Sequence, residues 1–257
     1  MKRILYLLPL LFCMCTSSDD TTSQSTFSIT VTPSLTTVAI DELFAVTVTS
    51  NESVKGMALT TDGSDPVNFS GSDFGTSQTL HFAFDTLGPK NIIIKAKNQN
   101  GDVVSKTITI LVTRGDCIKI TGLQLKSFYN INTTWDPEYT ESDINRLADV
   151  CFGFIKLQYT NPYDVGVSDK LWYVSPVKDN QGDLTWDFSV AELYINPGET
   201  LNIEFGDKDA STTQLLTPLY PSTKPITFAV YTAEKPSKIT YSFPDANLEF
   251  VLTVEWP

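Results

Sequence analysis

The sequence predicts an all-β chain: two tandem antiparallel β-sandwiches behind an export signal and a polar tether. Three observations carry this reading. Apolar and polar residues alternate at period two in run after run from Thr26 onward, the pattern of half-buried strands. Turn signals such as Leu87-Gly88-Pro89 and Asn100-Gly101-Asp102 separate the runs. No convincing long stretch of helical period interrupts them, and many short strands with regular turns mean sandwiches.

The first element is the segment 1–15. Lys2 and Arg3 precede an apolar run from Ile4 to Cys15. At ~1.5 Å per residue this run is too short to cross a ~30 Å bilayer core, so it reads as a secretion signal. No Ala-x-Ala-like cleavage pattern follows. Instead Cys13 and Cys15 close the run, and Cys15 is followed at once by Thr16-Ser17-Ser18-Asp19-Asp20. This arrangement resembles the lipobox of bacterial lipoproteins, in particular the Bacteroidota type, where Ser and Asp after the Cys accompany surface export. The resemblance implies lipidation at Cys15, an outer-membrane location and contact with the membrane through the lipid anchor. It departs from the pattern at Met14, where a small residue is usual; a cleaved secretory signal is the alternative. Residues 16–25 are nearly all Thr, Ser, Asp and Gln. They bury too little apolar surface to offset ordering entropy and read as a disordered tether.

The first sandwich spans residues 26–114. Phe27, Ile29 and Val31 alternate with polar neighbours, as do Phe44, Val46 and Val48; Leu80, Phe82 and Phe84; Ile92, Ile94 and Ala96; and Ile108, Ile110 and Val112. His81, the only histidine, has the opposite parity to Leu80, Phe82 and Phe84 and is expected to be exposed. The run from Leu87 to Gly101, followed by Thr107 to Val112, resembles the last two strands of PKD and related immunoglobulin-like modules. Such modules are generally spacers or adhesive units, which is what the resemblance implies here.

The second sandwich spans residues 115–257. Leu201, Ile203 and Phe205 alternate, as do Ile226, Phe228 and Val230 and, most cleanly, Leu248, Phe250, Leu252, Val254 and Trp256. Ile118 and Ile120 share one parity and Leu123 and Leu125 the other, so a β-bulge is expected at Thr121-Gly122. Thr140, Asp143, Ile144, Leu147 and Ala148 are compatible with one short capped helix between strands.

With 18 basic and 30 acidic residues the chain carries a formal charge of −12. Such a field repels nucleic acid and anionic lipid; cation binding or plain solubility fits it better. No Gly-x-Ser-x-Gly, no His-Glu-x-x-His and no phosphate-cradling glycine loop is present, so the chain is expected not to be an enzyme. A carboxylate pair for glycoside cleavage is the residual catalytic reading.

Four aspartates form the candidate site. Asp136 and Asp149 flank the loop after the first strand of the second unit, and Asp207 and Asp209 leave a later strand at a spacing of two. Carboxylates spaced so can face one way toward a hard cation such as Ca²⁺, which takes several oxygen ligands at about 2.3–2.6 Å. The bland alternative is turn chemistry. The set resembles the C-two domain, a calcium- and phospholipid-binding β-sandwich. The resemblance implies Asp136 and Asp149 as the early ligand pair and Asp207 and Asp209 as the later one. The third acidic position is missing near Gln214, and no basic membrane-docking face is evident.

Adjacent Trp172 and Tyr173 point to opposite faces of a strand, so at least one ring could stack on a sugar. The candidate partners are therefore a surface polysaccharide or another envelope protein. Cys117 and Cys151 leave a disulfide open. If the strands ending at Phe128 and starting near Asp149 pair, the cysteines would lie ~25–30 Å apart, against the ~7 Å between Cα atoms that a bond allows.

Overall fold

The computed structural model describes residues 26–61, 67–68, 73–159, 161–163, 165–209, 212–217 and 221–257. Cys15 and the whole of segments 1–15 and 16–25 apart from their sequence lie outside these residues. Among the described residues every regular element is a strand or a short 3-10 turn, so the chain is all-β. No helix among them is long and apolar enough to cross a membrane.

One seven-stranded sheet occupies the first unit: β1 (Ile29–Pro33), β2 (Thr37–Ala39), β3 (Phe44–Thr61), β4 (Val67–Asn68), β5 (Gly75–Phe82), β6 (Gly88–Asn98) and β7 (Val103–Thr113). Its organiser is the 18-residue β3. The N-terminal half of β3 pairs with β1 and β5, and the C-terminal half with β6 and β4. Register shifts between Thr49 and Val54 and again between Val54 and Gly56 divide the halves. The buried parity changes there too, from Phe44, Val46, Val48 and Val54 to Met57 and Leu59. A bulged strand bends, so one strand serves both walls of a single core. The β6–β7 hairpin turns at Gly101, whose φ of 92° a residue with a Cβ rarely adopts.

Two five-stranded sheets form the second unit. One has the order β10 (Val167–Val174), β9 (Val150–Tyr159), β13 (Thr200–Lys208), β14 (Thr213–Leu215), with β15 (Lys224–Thr227) also on β13. The other has the order β11 (Thr185–Asp187), β8 (Ile118–Ser127), β17 (Leu248–Glu255), β16 (Lys238–Phe243), with β12 (Tyr194–Ile195) also on β8. Alternation along β17 buries Leu248, Phe250, Leu252 and Val254. The expected bulge is present: Thr253 pairs with Gly122 and Val254 with Ile120, leaving Thr121 extra. Phe128, Phe152, Phe154, Phe205, Phe228 and Phe250 are fully buried between the sheets. The Trp186 ring meets Phe152 edge-on at 5.2 Å, an arrangement the ring quadrupoles favour.

Four expectations are corrected. Strand alternation does not separate Trp172 from Tyr173. The β9–β10 register shifts between Leu171 and Tyr173, and both rings pack partly buried against the second core. His81 is not exposed but half-buried, on the wall of a cavity of about 610 Å³ between the two units; its backbone N–H donates to Pro162 O at 2.7 Å. The strands ending at Ser127 and starting at Val150 are not partners, since β8 and β9 belong to different sheets. Cys117 and Cys151 are free thiols even so, Cys117 sitting against the first core with its Sγ on Ile40 O at 3.6 Å. The capped segment is only a 3-10 turn, Ile144–Arg146, and its cap is Asp143, which accepts from Asn145 N.

Candidate metal centre

The site lies where β9 begins and β13 ends. Val150 pairs with Asp207 in that ladder, so the entry to β9 and the exit of β13 are fixed side by side. The Asp149 N–H donates to Asp207 Oδ1 at 2.6 Å, and the Lys208 N–H donates to Asp149 O at 2.8 Å. Asp207 follows Phe205 on the buried parity of β13 after the small Gly206, and its side chain is 0% exposed. Its second oxygen, Oδ2, is buried without a hydrogen-bond partner among the described residues. An unpaired buried carboxylate oxygen is costly, and this one needs a cation or a proton.

The loop between β8 and β9 brings in Asp136. Arg146 O accepts from both Trp135 N and Asp136 N, at 2.7 and 3.2 Å. The Arg146 guanidinium ties the same loop down by donating to Glu141 O and Asn132 O. Trp135 Nε1 donates to Asn130 O, and its ring lies 6.3 Å from Phe128 in the core. Asp209, just past β13, accepts from Thr212 Oγ1 at 2.8 Å.

These elements bring together three of the four aspartates singled out in the sequence. One oxygen from each of Asp136, Asp207 and Asp209 lies within 4.8 Å of the others. Oxygens sharing a Ca²⁺ ion at 2.3–2.6 Å are at most about 5 Å apart, so the spacing fits such an ion. An all-carboxylate donor set suits a hard cation, not zinc. Asp149 is placed differently. Its Oδ1 accepts from Asn180 N at 2.8 Å, and its part is to hold Asp207 and to wall the adjoining cleft.

Electrostatics record the crowding. Burial, then the negative charges of Asp207 and Asp209, pushes the Asp136 carboxyl up to about 6. Burial also raises Asp207, with Asp209 and Asp149 adding to it. A divalent cation would relieve both effects at once.

Sequence reasoning missed a second charged cluster. Lys156 is 2% exposed, and its ammonium donates to both oxygens of Asp41 while lying 4.3 Å over the Trp172 ring. The available signal was parity: Lys156 continues the inward face of Phe152 and Phe154 on β9.

No protein-family model matches the chain, and no curated protein matches it. Among solved structures it is similar to the PKD domain of an M14-like peptidase from Thermoplasmatales archaeon SCGC AB-540-F20. That likeness is 15% identical, covers 33% of this chain and 91% of the other, and has a TM-score of 0.29. The fibronectin(III)-like modules of Clostridium thermocellum CbhA are 10% identical over 76% of this chain and 91% of theirs, with a TM-score of 0.25. Likenesses of this size carry no argument about activity.

Proposed function

We propose that the chain is a non-catalytic surface lipoprotein, anchored to the outer membrane through Cys15, whose second sandwich is C-two-like and binds Ca²⁺ through Asp136, Asp207 and Asp209. The first, immunoglobulin-like and PKD-like unit then serves as a spacer that lifts the site from the membrane. One observation carries the metal reading: the Oδ2 of Asp207, buried and without a hydrogen-bond partner among the described residues, beside two further carboxylates. The net charge of −12 fits a cation binder and disfavours nucleic acid. The lipid anchor is supported by Cys15 and the polar tract after it.

The test is the melting temperature of the purified protein in EDTA and in millimolar calcium. A ligand at about 100-fold excess over Kd that binds only the folded state adds ~2.7 kcal/mol. An upward shift lost in Asp207→Asn supports the site; an unchanged melting temperature refutes it. Palmitate labelling that persists in Cys15→Ser refutes the anchor.

A further inference from the structure

Beside the three aspartates lies an open cleft of about 650 Å³. We infer that this cleft binds a neutral, hydroxyl-rich glycan whose neighbouring hydroxyls complete the coordination of the calcium ion, an inference that rests on the metal reading above.

Coordination number comes first. Ca²⁺ takes 6–8 oxygens, and three carboxylates that each offer one or two oxygens leave positions for outside ligands. Asp207 is fully buried, while Asp136 and Asp209 are half-buried and line the cleft, so the vacant positions face the cleft. Two adjacent sugar hydroxyls supply two neutral oxygens at once.

Charge then selects among oxygen ligands. Among the described residues the cleft wall carries five carboxylates, Asp136, Glu138, Asp149, Asp179 and Asp209, and no lysine, arginine or histidine. One divalent ion offsets two of these charges. The remaining negative field repels a phosphate, a uronate or an anionic lipid headgroup. Hydroxyls bring no charge and fit.

The rest of the wall is suited to hydroxyls. Asn180 Nδ2 donates to Asn145 Oδ1 at 3.1 Å, and each amide keeps further donor and acceptor capacity for a sugar. Asn180 sits at a φ of 54° and is held by Asp149 through its backbone, so its amide is positioned on a fixed turn. Tyr139 lines the same cleft with 42% of its surface exposed, and its backbone N–H is tied to Asp136 O at 3.2 Å. That places a planar ring beside the metal loop. Trp172 and Tyr173, by contrast, pack partly buried against the second core and do not line this cleft.

The experiment is affinity electrophoresis of the purified protein through gels holding mannan, xylan or a neutral β-glucan, with calcium or with EDTA, beside polygalacturonate gels and flotation with phosphatidylserine vesicles. Calcium-dependent retardation by at least one neutral polysaccharide is expected. It should be lost in Asp207→Asn and weakened about three- to tenfold in Tyr139→Ala, the range for one aromatic contact. The calcium-induced rise in melting temperature should survive Tyr139→Ala. Retardation that persists in EDTA overturns the proposal. So does capture by polygalacturonate or the vesicles alone, or by nothing, while the melting shift stands; in those cases the metal site survives and the glycan assignment falls. No melting shift removes both.

Discussion

Lys156 on β9 donates to Asp41 Oδ1 and Oδ2 at 2.8 and 3.1 Å, joining two residues 115 positions apart across the junction of the two sandwiches. Their side chains are 3% and 17% exposed. Gln158, two residues along on the same face of β9, donates to Asp85 Oδ2 at 3.1 Å. Arg114, the residue after β7, donates to Glu255 O, so the end of β7 is tied to the last strand. Asp41 adopts a φ of 61°, which Asp tolerates better than most residues, and its N–H is held by Phe84 O. The inward face of β9 therefore runs past its own core and grips the neighbouring unit.

Breaking that pair from one side should cost more than removing it. Lys156→Met leaves a part-buried carboxylate without its cation, and we expect a loss of about 3 kcal/mol in urea unfolding. Asp41→Asn combined with Lys156→Met should recover most of that loss, because no buried charge remains. Asn is chosen since it also accepts positive φ. Equal and additive losses in a double-mutant cycle would show that the two groups do not interact.

The pH dependence follows from Asp136. Burial, and next the charge of Asp207, push its carboxyl in the folded protein up to about 6 from the ordinary 3.8. Between those values the folded state holds more protons than the unfolded state. Stability from this group is thus fully present below 3.8 and is lost as pH rises through about 6. In EDTA the melting temperature of the protein, relative to that of Asp136→Asn, should fall across this window and stay level above it. Calcium competes with the same proton, so the calcium-induced rise should be larger at pH 7.5 than at pH 5. A difference that is flat with pH would contradict the crowding of these carboxylates.

Much of this was legible from the sequence, and the failures have identifiable causes. Alternation in β17 and the parity flip at Thr121 are local signals, and both features are where the chain places them. The i, i+2 spacing of Asp207 and Asp209 was also legible. That only Asp207 is fully buried depends on β9 lying beside β13, which no local pattern encodes. Trp172 and Tyr173 were misplaced because a register shift cancels alternation at that point. His81 was misplaced because parity describes one sandwich, and the second unit covers its outward face. Lys156 was overlooked although an inward-facing charge within a strand is itself a signal, since such a charge is retained only with a partner.

Asp207→Asn should separate stability from metal binding. The Asn side chain keeps an acceptor for the Asp149 N–H and removes a buried negative charge that lies among Asp136, Asp149 and Asp209. In EDTA the variant should melt higher than the natural protein, while in calcium its rise should vanish. A purely structural aspartate would show the reverse, with a lower melting temperature in both conditions. Sites that hold like charges for a ligand commonly trade stability for binding.

Gly206 offers a last test, one residue before the metal loop. A Cβ there would lie 2.6 Å from Thr213 Cγ2 and 3.3 Å from Gln214 O, so Gly206→Ala must displace the Thr213 side chain or β14 itself. Overpacking of this kind costs about 1–3 kcal/mol. Thr212, the neighbour of Thr213, holds Asp209, so displacement of β14 should also weaken calcium binding. The tighter of the two obstructions is the Thr213 methyl group. Thr213→Ser removes it, and the Gly206→Ala, Thr213→Ser double variant should regain both melting temperature and calcium response. Persistent loss in the double variant would mean that the Gln214 carbonyl or the Gly206 backbone, and not the Thr213 methyl, sets the cost.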